Sequence, residues 1–160
     1  LEDMGVERYL ITSSVNGVLA QRLVRTLCEN CKELVELGNA YINQTGLRQY
    51  VKTNTFVAYQ AKGCAACMNT GYSGRTGIHE LFVLDDEMHR VIMNGADATV
   101  LHAAARQQGM TTLYEDGLRK VVQGLTSMEE VLRVTRDQSE ADVPGTETHV
   151  QVPAAEFVSV

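Results

Sequence analysis

All four cysteines of the chain lie in two Cys-x-x-Cys pairs, Cys28/Cys31 and Cys64/Cys67, and no hydrophobic pattern constrains the fold as strongly. A gap of two residues lets both sulfurs of a pair turn toward one point, and two such pairs supply the four soft ligands of a closed tetrahedral zinc site. The spacing predicts one structural Zn²⁺ on Cys28, Cys31, Cys64 and Cys67. Four thiolates leave no coordination position for water, which argues against zinc hydrolysis. The competing reading, two disulfides, needs an oxidising compartment that nothing in the sequence announces. The pairs bracket Lys32–Gly63, 32 residues, so a shared ion would close a long excursion and pin both its ends.

Charge is uneven along the chain. All 14 Lys and Arg lie at or before Arg136, whereas the last 24 residues hold five acids and no base. Residues 1–136 carry 15 acids against 14 bases, so most of the formal −6 belongs to the tail. A nearly neutral body lacks the basic footprint of a nucleic-acid binder. With 160 residues, 44% of them hydrophobic, the chain can bury a core. No apolar run approaches the ~20 residues of a membrane span, and Leu1-Glu2-Asp3 is not the basic start of a signal peptide. These features predict a soluble globular chain in a reducing cytoplasm.

Helical signals dominate the second half. Asp85 is placed to cap a segment with Met88, Val91 and Ile92 on one face, ended by Gly95; Asp97 caps the next, which Gly109 ends. Tyr114, Leu118, Val121, Val122 and Leu125 then form one apolar stripe, and Ser127 with Glu130 reads as a capping box opening a short fourth helix. Thr76–Leu84 alternates as a strand, with Ile78, Glu80, Phe82 and Leu84 on one side. Gly17–Arg25 fits a strand or a helix face, and pattern alone does not decide. Within the excursion, Leu34, Val35 and Leu37 suggest a helical turn or two. After Arg136 the composition predicts a disordered tail, with an edge strand at Glu156–Val160 as the alternative.

Other chemistry is thinly represented. His79, His89, His102 and His149 stand at no ligand spacing, and Asp85-Asp86-Glu87 reads as dipole complementation at a helix start. Neither GxxxxGK[ST] nor a GxGxxG following a strand occurs, and no nucleophile–base pair is evident. Cys64-Ala-Ala-Cys67 with Gly71 loosely matches the zinc repeats of DnaJ-type chaperones, but as a single copy with Asn69 where glycine belongs.

Four longer stretches carry a resemblance: Gly17–Cys28, then Gly71-Tyr-Ser-Gly-Arg-Thr-Gly-Ile-His-Glu-Leu81, then Asp116–Gly124 and Thr126–Thr135. In this order and spacing they resemble the C-terminal part of the type II secretion traffic ATPases (general secretion pathway protein E), relatives of the type IV pilus assembly ATPases. His79 stands where that family leads one to expect tyrosine. The resemblance implies an α+β fold: the C-terminal edge of a RecA-like α/β ATPase domain at residues 1–27, an inserted tetracysteine zinc module at 28–72, a return strand at 73–84, a small all-helical subdomain at 85–136, and an acidic tail at 137–160. It also makes Gly17–Arg25 a strand paired with Thr76–Leu84. It implies a parent protein that hydrolyses ATP with Mg²⁺ as a homo-hexamer, in the cytoplasm against an inner-membrane secretion platform, without nucleic acid and without direct membrane insertion. The phosphate loop, acidic boxes and arginine fingers of that family have no match here, so a fragment or truncated product is expected, inactive alone, with a structural and coupling role. Arg22 and Arg25 are the candidates for nucleotide contact. The rival from another class is a free-standing zinc-binding interaction module of zinc-ribbon type, although 32 residues between Cys31 and Cys64 exceed the roughly 15–20 of the common double pattern.

Overall fold

Two antiparallel ribbons, one nested inside the other, organise the chain. A computed structural model describes residues 4–142. After a short helix α1 (Arg8–Ser14), strand β1 (Gly17–Leu27) runs antiparallel to β4 (Tyr72–Val83), with Gly17 opposite Val83 and Val24 opposite Thr76. Between them lies a second ribbon, β2 (Glu33–Leu37) against β3 (Phe56–Gln60). The strand reading of Gly17–Arg25, left open by pattern, is the correct one. It extends to Leu27 through an irregularity between Arg25 and Leu27.

The excursion differs from expectation. Leu34, Val35 and Leu37 lie in β2 rather than in a helical turn. The physical reason is the two-residue period: Val35 and Leu37 pack into the core with Ala58 and Phe56, and Leu34 is left exposed. Helix α2 (Asn39–Gln44) follows the strand and buries Ile42.

Four helices follow: α3 (Asp86–Met93), α4 (Ala98–Gln107), α5 (Leu113–Val122) and α6 (Met128–Asp142). Asp85 and Asp97 cap the first two, accepting from the Met88 and Val100 N–H at 2.8 and 2.9 Å. The reciprocal capping box is not at Ser127 but at Thr112 and Glu115, where each side chain accepts from the other's backbone N–H. Ser127 does cap α6, its Oγ accepting from the Glu130 N–H at 3.2 Å, but the Glu130 carboxylate turns elsewhere. Helix α6 runs past the composition change at Arg136 to Asp142, so the first tail residues are helical; the remaining tail expectations, with His149 and the Glu156–Val160 strand, lie outside the described residues.

The inner ribbon does not have a core to itself. Ile42, Leu47, Val51 and Ala58 of the excursion bury against Leu118, Val121, Met128 and Val131 of α5 and α6. A second cluster, Val24, Ile78 and Leu113, seats the outer ribbon on the start of α5. Gly117 is what lets α5 and α6 approach: a Cβ there would lie 2.6 Å from Cγ1 of the fully buried Val131. The fold is thus α+β, with two small sheets and six α-helices among the described residues. None of those helices is long and apolar enough to cross a membrane.

Candidate metal centre

Four strand ends meet at the cysteines. Cys28 directly follows β1, Cys31 precedes β2, Cys64 follows β3 and Cys67 precedes β4. The 36 residues separating Cys28 from Cys64 in sequence collapse to a contact, with the Sγ atoms 4.0 Å apart. Cys31 and Cys67 lie 3.8 Å apart, as do Cys64 and Cys67, and all four Sγ atoms fall within 4.8 Å of one another. A regular tetrahedron with metal–sulfur bonds of about 2.3 Å has edges of about 3.8 Å. The donor set therefore fits a Zn²⁺ ion. Disulfide sulfurs stand about 2.05 Å apart, and all four cysteines here are free.

The local backbone explains why the second pair closes so tightly. A single 3-10 turn, Ala65–Cys67, is followed by Met68 and Asn69 in the left-handed region, at φ 52° and 59°. Asparagine tolerates that conformation, which accounts for Asn69 at a position where a glycine would be expected. Gly71, at φ +76°, completes the reversal beside Ala61, whose Cβ would be 2.6 Å from any Cβ added there. The turn aims two backbone N–H groups, from Cys64 and Gly71, at the Cys67 sulfur, each at 3.2 Å. Burial raises the Cys67 thiol, but those N–H groups and the adjoining sulfurs overcome it and bring it down to about 6. Desolvation pushes Cys31 up to about 12. Four thiolates this close repel one another, and a central dication is what lets all of them ionise together.

From this centre the chain leads directly to a second joint. Tyr72, next to Gly71, places its hydroxyl 2.8 Å from Ser127 Oγ and its ring under Arg25, whose Cζ is 4.0 Å from the ring centroid. Arg25 in turn holds the fully buried Glu130 carboxylate through its backbone N–H at 3.0 Å and its guanidinium at 2.7 and 2.9 Å; Arg133 adds two more bonds. Burial raises the Glu130 carboxyl, yet the bonds from Arg133 and Arg25 outweigh it and hold the group at about 2. Nothing local in the sequence marks this cluster, because Arg25 and Glu130 are 105 residues apart.

The other candidates scatter. Arg22 donates to the Val134 carbonyl and Arg25 to Glu130, so the structure places both guanidinium groups against α6. The His79 ring stands 3.9 Å from Asp116, and His89 buries Nε2 with no partner among the described residues. Asp85 serves as a helix cap, with Asp86 and Glu87 in the first turn of α3. Among the described residues, the four cysteines alone converge as a metal-ligating group.

The chain belongs to the Type II/IV secretion system protein family, whose model matches residues 1–133. It is 48% identical over 137 residues to the type II secretion system protein HxcR of Pseudomonas aeruginosa, covering 86% of this chain and 25% of that protein. It is 46% identical over 137 residues to the type II secretion system ATPase E of Vibrio cholerae, covering 86% of this chain and 26% of that protein. With the type IV pilus assembly ATPase PilB of Thermus thermophilus it shares 45% over 135 residues, 84% of this chain and 15% of that protein. The chain thus spans about a quarter or less of these relatives. The match runs through both ribbons and into α6, beyond the cysteine module alone, and so does not favour a free-standing zinc ribbon.

Proposed function

We propose that the chain is the zinc-bearing coupling portion of a secretion ATPase. The observation that carries this reading is the convergence of four strand ends on four cysteines, within a chain similar throughout residues 1–133 to secretion and pilus proteins. In this reading one Zn²⁺ sits on Cys28, Cys31, Cys64 and Cys67 and has a structural role: it fixes where the inner ribbon leaves and rejoins the outer one. Cys67 keeps its sulfur aligned through the two backbone N–H groups, and Tyr72 and Arg25 pass that rigidity to the start of α6.

Nucleotide chemistry belongs to a longer parent. Phosphate cradling in such enzymes needs backbone N–H groups of a phosphate loop, a lysine and a Mg²⁺ held by a hydroxyl and an acid, and this sequence has no such loop. The outer ribbon is suited to join a larger RecA-like sheet. Its outward face exposes Leu19, Leu23, Leu81 and Val83, at 60%, 49%, 52% and 53%, an apolar area that calls for a cover. Assembly as a hexamer against an inner-membrane platform, in type II secretion or pilus assembly, completes the proposal. The test is phosphate release and calorimetric ATP binding by the chain alone, then after mixing with the nucleotide-binding part of a secretion ATPase. Turnover only on mixing supports the coupling role; turnover by the chain alone refutes it.

A further inference from the structure

Strand β1 changes partner just before the first cysteine. Its register slips between Arg25 and Leu27: while β1 advances two residues, β4 moves three, from Arg75 to Tyr72. A slip of this kind interrupts the ladder, and the backbone groups beside it need other partners. The turn between α5 and α6 supplies them. Leu27 donates its N–H to the Leu125 carbonyl at 2.9 Å, and the Thr126 hydroxyl donates to the Arg25 carbonyl at 2.8 Å. Ser127 meets the other strand, its Oγ 2.8 Å from the Tyr72 hydroxyl. Three successive residues of one turn thus hold β1 and β4 where both strands reach the cysteines.

The path from this turn to the sulfurs is short. Leu27 adjoins Cys28, whose N–H donates to the Gly71 carbonyl at 3.0 Å. The Gly71 N–H in turn donates to the Cys67 sulfur at 3.2 Å, and Tyr72 follows Gly71 directly. Cys28 and Cys67 are the buried members of the donor set, whereas Cys31 and Cys64 are half-buried. The turn therefore holds the inner half of the set. A threonine between two helices ordinarily serves its own turn, but Thr126 is fully buried and bonds to a residue 101 positions away, on the strand that leads into Cys28.

We propose that Thr126 and Ser127 are positioning residues for the metal centre: through Arg25, Leu27 and Tyr72 they hold Cys28 and Cys67 within reach of one ion, and so set how firmly it is retained. Groups outside the ligand shell act in this way by keeping ligand atoms aligned before the ion arrives. That role rests on the zinc reading above and gives the site a regulation. Displacing the start of α6 from β1 loosens the seat of the ion, and by reciprocity loss of the ion loosens the hold of the turn.

Zinc competition with a chromogenic chelator, measured on the purified full chain, tests this. Thr126→Val keeps the shape of the side chain and removes the hydroxyl, so the zinc dissociation constant should rise about tenfold. Thr126→Ser keeps the hydroxyl and should stay within about twofold of the unaltered chain. Tyr72→Phe keeps the ring and drops only the bond to Ser127; an expected rise of about threefold makes it the second test should Thr126→Val not fold. Asp97→Ala removes the cap of α4 instead and should leave zinc affinity unchanged. Equal affinity in Thr126→Val, Tyr72→Phe and the unaltered chain would overturn this role alone, with the zinc site intact. Weakening by Asp97→Ala or by Thr126→Ser as large as that by Thr126→Val would also overturn it, assigning the effect to general stability or to packing. An unaltered chain that retains no zinc would overturn the zinc reading itself and this role with it.

Discussion

The outer ribbon is held at two joints that use opposite chemistry. At one, four sulfurs converge at the ends of β1 to β4 and fit a single ion. At the other, a carboxylate with no solvent exposure is gripped by two guanidinium groups that are themselves 41% and 57% exposed. The first joint gathers strand ends; the second fixes β1 to a helix. A metal-type joint fails when its ion is removed, whereas an ion-pair joint fails when its acid is protonated, so the two can be broken independently although Tyr72 links them.

The largest effect is expected at the sulfur joint. Cys64→Ser should abolish zinc retention and cost more than about 3 kcal/mol, because a structural zinc contributes its binding energy to folding. Since the excursion shares its core with α5 and α6, amides of β2 and β3 should lose protection first and those of α5 next; hydrogen exchange after chelation checks the order. The ion-pair joint comes second. Glu130 sits at about 2 when folded, below its ordinary 4.5, so the folded chain binds this proton more weakly than the unfolded one. Its contribution is complete above pH about 5 and is lost as pH falls through about 4 toward 2. Glu130→Gln should cost about 2 kcal/mol at neutral pH, allowing for the exposure of both arginines, and should flatten that acid limb in denaturant titrations.

Ser127→Ala removes both the cap of α6 and the bond to Tyr72, with an expected loss of about 1–1.5 kcal/mol measured by urea melts. Gly117→Ala should destabilise by about 0.5–1 kcal/mol, because crowding against Val131 outweighs the helix propensity of alanine.

The two joints also differ in how far the sequence disclosed them. Cys28, Cys31, Cys64 and Cys67 were legible because each pair is local and its spacing has a chemical meaning; the caps at Asp85 and Asp97 were legible for the same reason. Glu130 was misread as half of a capping box, since Ser127 stands three residues before it and its true partner, Arg25, is far away in sequence. Leu34, Val35 and Leu37 looked helical because three apolar residues in five suit either period, and only pairing with Phe56–Gln60 decides. Helix α1, without buried residues or a side-chain cap, left no pattern to read.

We propose that the four cysteines form one closed metal joint. Elemental analysis of protein purified without added metal, with thiols titrated in the same sample, tests it most directly. One zinc per chain with all four thiols protected is the expected result; a folded, metal-free chain whose four thiols react freely would contradict it.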